Sequence, residues 1–248
     1  GNSKVVTYNV TNIDKTLPGG TIVPSTTAWT KGPITLTFSG TDAGGSNVDY
    51  VLDHVSNKTI GASDSYVVSS NGTYNFTVFD KAGNSKVVSY AVSNIDLTAP
   101  GKPTIDLSTA AWTNGNVTFT IIPGTDSQSG VAYTQYQIDG GAWTNYTGVV
   151  TISTNGKHVI NARTTDNVGW TGVTETKTAS IDKVVPTAGI SVNTSWTNAT
   201  SVAATLTASD ADSGLSNVKY QLSGATTKAE TTATTGDVIT IANEGQTT

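Results

Sequence analysis

Aspartates that recur at regular spacing are the residues with the clearest chemical potential. Asp14, Asp96 and Asp182 each follow an isoleucine and lie four residues before a proline, and Asp80 and Asp166 each begin an Asp-x-x-Gly turn. Ca²⁺ takes six to eight oxygen ligands, which a linker Asp, a turn Asp and backbone carbonyls could supply. The pattern therefore predicts Ca²⁺ at these positions. The alternative is that the carboxylates only accept N–H bonds within turns.

A second acidic motif lies near the end of the chain. Residues 210–214, Asp-Ala-Asp-Ser-Gly, resemble the start of a calcium loop, but no Glu follows at the EF-hand distance. Asp210 and Asp212 could also form the acid and base pair of a glycosidase. Their position beside Gly214 is typical of a turn, and we favour that interpretation.

The inventory of catalytic residues argues against an enzyme. Histidine occurs only as His54 and His158, cysteine is absent, and no Gly-x-Ser-x-Gly or His-Glu-x-x-His motif is present. His158 is in register with Ile160 and Ala162, so we interpret it as a strand-end residue that touches the core. We expect no catalytic residues and no required cofactor, with Ca²⁺ as the one ion the sequence suggests.

Aromatic residues suggest a binding surface as an alternative role. Tyr133, Trp143, Tyr146 and Trp170 have no equivalents in residues 15–96. Such rings could stack on sugars. The alternative is local packing, which we favour for Trp143 and Tyr146. Three further tryptophans recur in step with the aspartates and are expected to cap the cores of their repeats: Trp29, Trp112 and Trp196.

The composition excludes several classes of protein. Of the 248 residues only 12% are charged, the net charge is −5, and Arg163 is the single arginine. A chain without a basic stripe is a poor nucleic-acid ligand. No apolar run approaches the ~20 residues that span a bilayer. Abundant Thr, Ser, Asn and Gly favour strands and turns over helices.

Internal repeats are the strongest organisational signal. Three markers recur with a period of about eighty-odd residues, longer than most solenoid repeats and close to a small sandwich domain. The markers are the linker prolines Pro18, Pro100 and Pro186, the three tryptophans above, and the aspartates Asp42, Asp126 and Asp210. Within the repeats, segments such as 74–78 and 117–121 alternate apolar and polar residues, as strands with one buried face do.

The middle repeat carries the most specific motifs. Ser129-Gly130-Val131, then 136–148 with Gly-Gly-Ala-Trp, then Asp166-Asn167-Val168-Gly169, resemble a bacterial immunoglobulin-like repeat. Such repeats occur in tandem in cell-surface adhesins, S-layer proteins and the non-catalytic parts of secreted glycosidases. The resemblance implies an all-β fold of tandem immunoglobulin-like antiparallel β-sandwiches. Activity does not follow from it.

The markers divide the chain into four parts. We predict a first repeat at 15–96, a second at 97–182 and a third at 183–248. Residues 1–14 match 83–96 at eleven of fourteen positions, so we interpret them as the last strand of a preceding repeat. The third repeat has no counterpart of 157–182 and is expected to lack two strands. We expect it to need the rest of a longer chain or a strand from a neighbouring copy.

The linkers indicate a mechanical role. All three have the same length from Asp to Pro, and proline restricts the backbone there. We therefore expect a structural spacer of an extracellular bacterial surface protein, either an adhesin stalk or an S-layer array. The alternative is a carbohydrate- or receptor-binding module, including the accessory part of a secreted glycosidase. Expected partners are neighbouring copies, the rest of a longer chain, glycans or a host surface, without nucleic acid or membrane insertion.

Overall fold

The computed structural model describes residues 1–242 and contains nineteen strands and no helix there. No helix in that range could therefore cross a membrane. The chain forms two compact units. The first contains Gly1–Pro103, Pro123–Thr134 and Arg163–Thr174; the second contains Thr104–Ile122, Gln135–Ala162 and the chain from Glu175 onward. The unit limits differ from the repeat limits, and the repeat limits stay a prediction.

The first repeat forms two antiparallel sheets, with orders β1-β2-β5 and β4-β3-β6-β7. The first, second and fifth strands share one sheet, and the third, fourth, sixth and seventh share the other. Apart from the fourth strand, which a constant-type immunoglobulin domain places with the first, second and fifth, this is the strand distribution of an immunoglobulin-like sandwich. The strands are β1 (Gly19–Pro24), β2 (Ile34–Thr41), β3 (Val48–Asp53), β4 (Lys58–Ile60), β5 (Ser63–Val68), β6 (Gly72–Asp80) and β7 (Ser85–Val92).

Alternating apolar residues build the core of this sandwich. Along β2 and β6 every second side chain is buried, because successive side chains of a strand point to opposite faces. Phe38 and Phe76 stack across the two sheets with their ring centroids 5.2 Å apart. The core residues include Ile34, Leu36, Phe38, Val51, Phe76 and Val78, each at most 1% exposed.

The second repeat has the same strand order in two sheets, β8-β9-β12 and β11-β10-β13-β14. Its core lies in the second unit, where Phe119 of β9 meets Tyr136 of β10 edge to face at 5.5 Å. The strands are β8 (Thr104–Leu107), β9 (Val117–Ile122), β10 (Val131–Ile138), β11 (Thr144–Asn145), β12 (Val150–Ile152), β13 (Gly156–Asp166) and β14 (Glu175–Ile181).

The described part of the third repeat contains five strands in two sheets, β15-β16-β19 and β17-β18. Its core is small, with Leu206, Leu222 and Ile239 as its largest buried residues. Residues 243–248, the end of the repeat predicted at 183–248, lie outside the described residues. The strands are β15 (Thr187–Val192), β16 (Val202–Ser209), β17 (Val218–Leu222), β18 (Lys228–Ala233) and β19 (Val238–Ile241).

The strand orders confirm the fold class: the protein is all-β and built of tandem immunoglobulin-like antiparallel sandwiches. The expectation that the recurring tryptophans cap the cores is wrong for Trp29 and Trp196. Trp29 is 41% exposed and Trp196 is completely exposed, and each lies in a loop, before β2 and β16 respectively. Residues 1–18 form no strand, and their origin as the end of a preceding repeat stays a prediction.

Candidate metal centre

The first unit contains two clusters of three aspartates each. The second cluster along the chain consists of Asp96, Asp126 and Asp166. One carboxylate oxygen from each lies within 4.8 Å of the others. Asp96 belongs to the linker after β7, Asp126 to the loop between β9 and β10, and Asp166 ends β13. Asp96 is completely buried and Asp166 is 2% exposed. The linker carboxylate is therefore held against two loops at one end of a sandwich.

Backbone N–H groups fix these carboxylates in place. Asp96 accepts N–H bonds from Thr98 at 3.0 Å and Ser129 at 3.1 Å. Asp126 Oδ1 accepts from the backbone of Gln128 and Gly130, and Asp166 Oδ1 from Val168 and Trp170, at 2.8–3.0 Å. Because these donors orient the carboxylates before any ligand binds, the oxygens are preorganised.

Two buried oxygens of this cluster have no hydrogen-bond partner. They are Asp166 Oδ2 and Ser129 Oγ. An ionised oxygen that is removed from water without compensation costs several kcal/mol, so nearly all such groups are paired or hold a cation. The arrangement of Asp166 therefore suits a positively charged ligand better than a network of turn bonds alone.

The first carboxylate cluster consists of Asp14, Asp42 and Asp80, whose carboxylate oxygens also lie within 4.8 Å of one another. Asp80 is 2% exposed, whereas Asp14 and Asp42 are partly exposed. Here the amide of Asn84 donates to Asp80 Oδ2 at 2.8 Å and to the carbonyl oxygen of Asp14 at 3.3 Å. Both oxygens of Asp80 are thus hydrogen-bonded, because the backbone N–H of Asn84 donates to Oδ1.

The third linker repeats part of this arrangement in the second unit. Asp182 accepts N–H bonds from Val184 at 2.9 Å and Ser213 at 3.0 Å, and Asp210 accepts from Gly214 at 2.8 Å. Among the described residues no third carboxylate completes a comparable group around Asp182. Asp182 is therefore placed like Asp14 and Asp96, but with a smaller set of oxygens.

The pKa values of all three linker aspartates are lowered. For Asp14 and Asp182 the main causes are the side chains of Ser46 and Ser213 respectively. Burial raises the pKa of Asp96, but the hydrogen bonds from the backbone N–H groups of Thr98 and Ser129 outweigh it. All three carboxylates are therefore ionised at neutral pH, as oxygen ligands of a metal must be.

The clusters bring together residues that the sequence singled out separately. Asp14 lies with Asp80, and Asp96 lies with Asp166, as linker and turn aspartates of one cluster. The sequence reasoning missed Asp42 and Asp126 as members. Their signal was present, since they recur with the same period as the other markers, but spacing alone does not show which loops converge.

The aromatic candidates fall into different environments. Tyr133 and Trp170 belong to the first unit, and Trp143 and Tyr146 to the second. Trp170 is 36% exposed; Lys31 Nζ lies 4.3 Å from the centre of its ring, and its indole N–H donates to the Asp96 carbonyl oxygen at 3.0 Å. Tyr146 packs against the second core. Trp170 and Tyr146 thus have local packing roles, and sugar binding by these four residues stays a prediction.

One histidine has an oriented carboxylate partner. His158 Nδ1 lies 2.7 Å from Asp139 Oδ2, and Nε2 lies 3.0 Å from Thr154 Oγ1 and 3.1 Å from the Thr154 carbonyl oxygen. The hydrogen bond to Asp139 raises the pKa of His158, against the effect of burial, and the same bond lowers the pKa of Asp139. Because Asp139 Oδ2 lies against one ring nitrogen and the Thr154 oxygens against the other, these contacts favour the imidazolium form.

The fold and the clusters together define a class of protein: tandem immunoglobulin-like sandwiches whose linkers are fixed to loops by carboxylates. No family model and no curated protein matches the sequence.

Solved structures resemble the chain at low identity. Fibronectin(III)-like modules of CbhA from Clostridium thermocellum are 15% identical, with 65% of this chain and 95% of that chain covered and a TM-score of 0.27. A 1.5-MDa bacterial ice-binding adhesin is 18% identical, with 86% of this chain and 80% of that chain covered and a TM-score of 0.39. The FN1–FN3 domains of chicken CNTN1 are 15% identical, with 94% of this chain and 87% of that chain covered and a TM-score of 0.28. These resemblances are too loose to transfer a function.

Proposed function

We propose that this chain is a non-catalytic structural segment of an extracellular bacterial surface protein, of the adhesin-stalk or S-layer kind. In this role ordered linkers limit the angles between successive repeats. The supporting observation is that the same linker bond occurs three times. It joins Asp14 to Ser46, Asp96 to Ser129 and Asp182 to Ser213, as an N–H···carboxylate bond of 3.0–3.1 Å.

The repeated bond restrains each linker at two points. The linker carboxylate accepts one hydrogen bond from the backbone N–H of the residue two positions later in the linker. It accepts another from a backbone N–H in a loop more than thirty residues away. The proline two residues beyond the first donor fixes a further backbone angle. A linker held by two such bonds and a proline is much stiffer than a Gly-Ser tract.

Calcium is the ion we propose for the second carboxylate cluster, Asp96, Asp126 and Asp166. The side chains gathered there offer oxygens only, which favours Ca²⁺, Mg²⁺ or Mn²⁺ over the softer transition metals. Ca²⁺ is preferred because it tolerates irregular geometry and accepts backbone carbonyls as ligands. An ion bound to a linker Asp and to two loops would add to the restraint that the hydrogen bonds provide.

Distance measurements between spin labels test the proposal. The chain has no cysteine, so labels attached to Lys86→Cys and Thr178→Cys report only the motion of the second repeat relative to the first. We expect a narrow distance distribution that broadens in an Asp96→Ala background. Asp106→Ala, which removes an exposed carboxylate of β8, is the matched control and should leave the distribution unchanged. A broad distribution in the parent chain would contradict a spacer function.

A further inference from the structure

The two carboxylate clusters of the first unit differ at one position. Asn84 follows Asp80 by four residues, and Trp170 follows Asp166 by four. In both cases the backbone N–H of the later residue donates to Oδ1 of the aspartate at 2.8 Å. The turns are therefore alike at this bond, and the difference between the clusters lies in the side chain.

In the first cluster the Asn84 side chain occupies the space between two oxygens. Its Nδ2 donates to Asp80 Oδ2 and to the carbonyl oxygen of Asp14. An amide NH₂ presents the positive end of its dipole to both acceptors, as a cation would. It satisfies the buried carboxylate without an ion.

In the second cluster the indole of Trp170 replaces only one of these bonds. Its Nε1 donates to the Asp96 carbonyl oxygen at 3.0 Å, which matches the bond from Asn84 to the Asp14 carbonyl. The indole has a single donor, so it cannot also serve the carboxylate. Asp166 Oδ2 is left without a partner in a residue that is 2% exposed, and Ser129 Oγ is likewise buried and unpaired.

We infer that Asp96, Asp126 and Asp166 hold a Ca²⁺ ion, and that the Asn84 amide takes the place of this ion among Asp14, Asp42 and Asp80. The two clusters therefore differ in affinity, and the residue four positions after the turn Asp decides which one binds. This inference rests on the proposed function, since it names the linker at which the ion acts.

Calorimetric titration of CaCl₂ into the full chain, after removal of metal with a chelator, tests this difference. The parent chain should bind one tight equivalent, and Asp166→Asn should show no tight binding event. Asn84→Ala should free Asp80 Oδ2 and the Asp14 carbonyl oxygen for an ion, and so add a second binding event. The matched control is Asn94→Ala, whose amide bonds the Ala28 carbonyl oxygen and no carboxylate; it should leave the titration unchanged.

Terbium provides a second readout that also locates the ion. Tb³⁺ bound beside Trp170 should luminesce when tryptophan is excited, because the indole contacts Asp96 of the same cluster. Ca²⁺ should compete for the signal, and Asp166→Asn should abolish it while circular dichroism shows an intact fold.

Three results would overturn the inference: two equal equivalents in the parent chain, no binding at all, or an Asn84→Ala variant that titrates like the parent. A narrow spin-label distribution in chelator together with any of these would leave the spacer proposal standing. A broad spin-label distribution together with one tight Ca²⁺ site would contradict the spacer proposal and leave the calcium inference standing.

Discussion

Replacing Asp166 with Asn should stabilise the protein in chelator and should also remove the stabilisation that Ca²⁺ provides. The substitution keeps the shape of the side chain and the oxygen that accepts the N–H bonds of Val168 and Trp170. It replaces the unpaired buried oxygen with an NH₂ group that faces two other carboxylates. One change therefore removes a buried charge and an ion ligand together.

The magnitude follows from the spacing of the carboxylates. Two charges within 4.8 Å repel by about 1 kcal/mol in water and by about 3.5 kcal/mol at an effective dielectric constant of 20. Asp166 faces two such partners, and we expect a gain near the lower end, about 2 kcal/mol, because Asp126 is partly exposed. In the parent chain Ca²⁺ at one hundred times its Kd should add about 2.7 kcal/mol, which the variant should not gain.

Calorimetric unfolding in EDTA and in CaCl₂ measures both effects. Asp80→Asn is the matched comparison, because both oxygens of Asp80 already accept hydrogen bonds from Asn84. We expect this variant to lose about 1 kcal/mol in either buffer. If Asp166→Asn destabilised the chain in EDTA as Asp80→Asn does, the buried oxygen would not be unfavourable and the reasoning would fail.

Three further experiments, the first of them with a control variant, test interactions within the fold. Phe76→Ala should cost about 3–5 kcal/mol in urea unfolding, whereas Tyr133→Ala, at a side chain 44% exposed, should cost about 0.5 or less. His158→Gln should cost about 1 kcal/mol of stability at pH 5.5, after allowance for solvent screening, and less at pH 8.5. The reason is that a histidine whose pKa is raised by folding contributes stability that is complete below its unfolded pKa of about 6.5 and is lost as the pH rises through the folded pKa. Equal costs at both pH values would contradict the ion pair. Gly172→Ala should cost about 1–3 kcal/mol in the same assay, since its Cβ would overlap the Pro100 carbonyl oxygen; an unchanged midpoint would show that this close approach is absent.

The sequence was informative where a local pattern has one structural solution. Alternation along β2 and β6 predicted strands with one buried face, and Phe38 and Phe76 lie in the core accordingly. It misled for Trp196, because a recurring tryptophan is usually buried and the loop before β16 instead exposes it completely. The partner of His158 was also missed, since Asp139 lies nineteen residues away on a different strand end.

The candidate site shows the same limit. Period and residue type selected Asp14, Asp80, Asp96 and Asp166, and also marked Asp42 and Asp126 without assigning them a role. The loops that carry these residues are separated by more than twenty-five residues, so only the sandwich topology shows that they meet at one end. No local pattern encodes a distance between loops, because it depends on how two sheets pack.

The sequence by itself determined the strand content, the repeat length and the recurring linker aspartates, since these follow from side-chain alternation and from identities along the chain. Only the tertiary structure decided which carboxylates share a cluster. It also decided that Asn84 satisfies one buried aspartate while Trp170 leaves the other unpaired. The reason is physical: hydrogen bonding and burial are properties of positions in space, and the pairing of two sheets sets those positions.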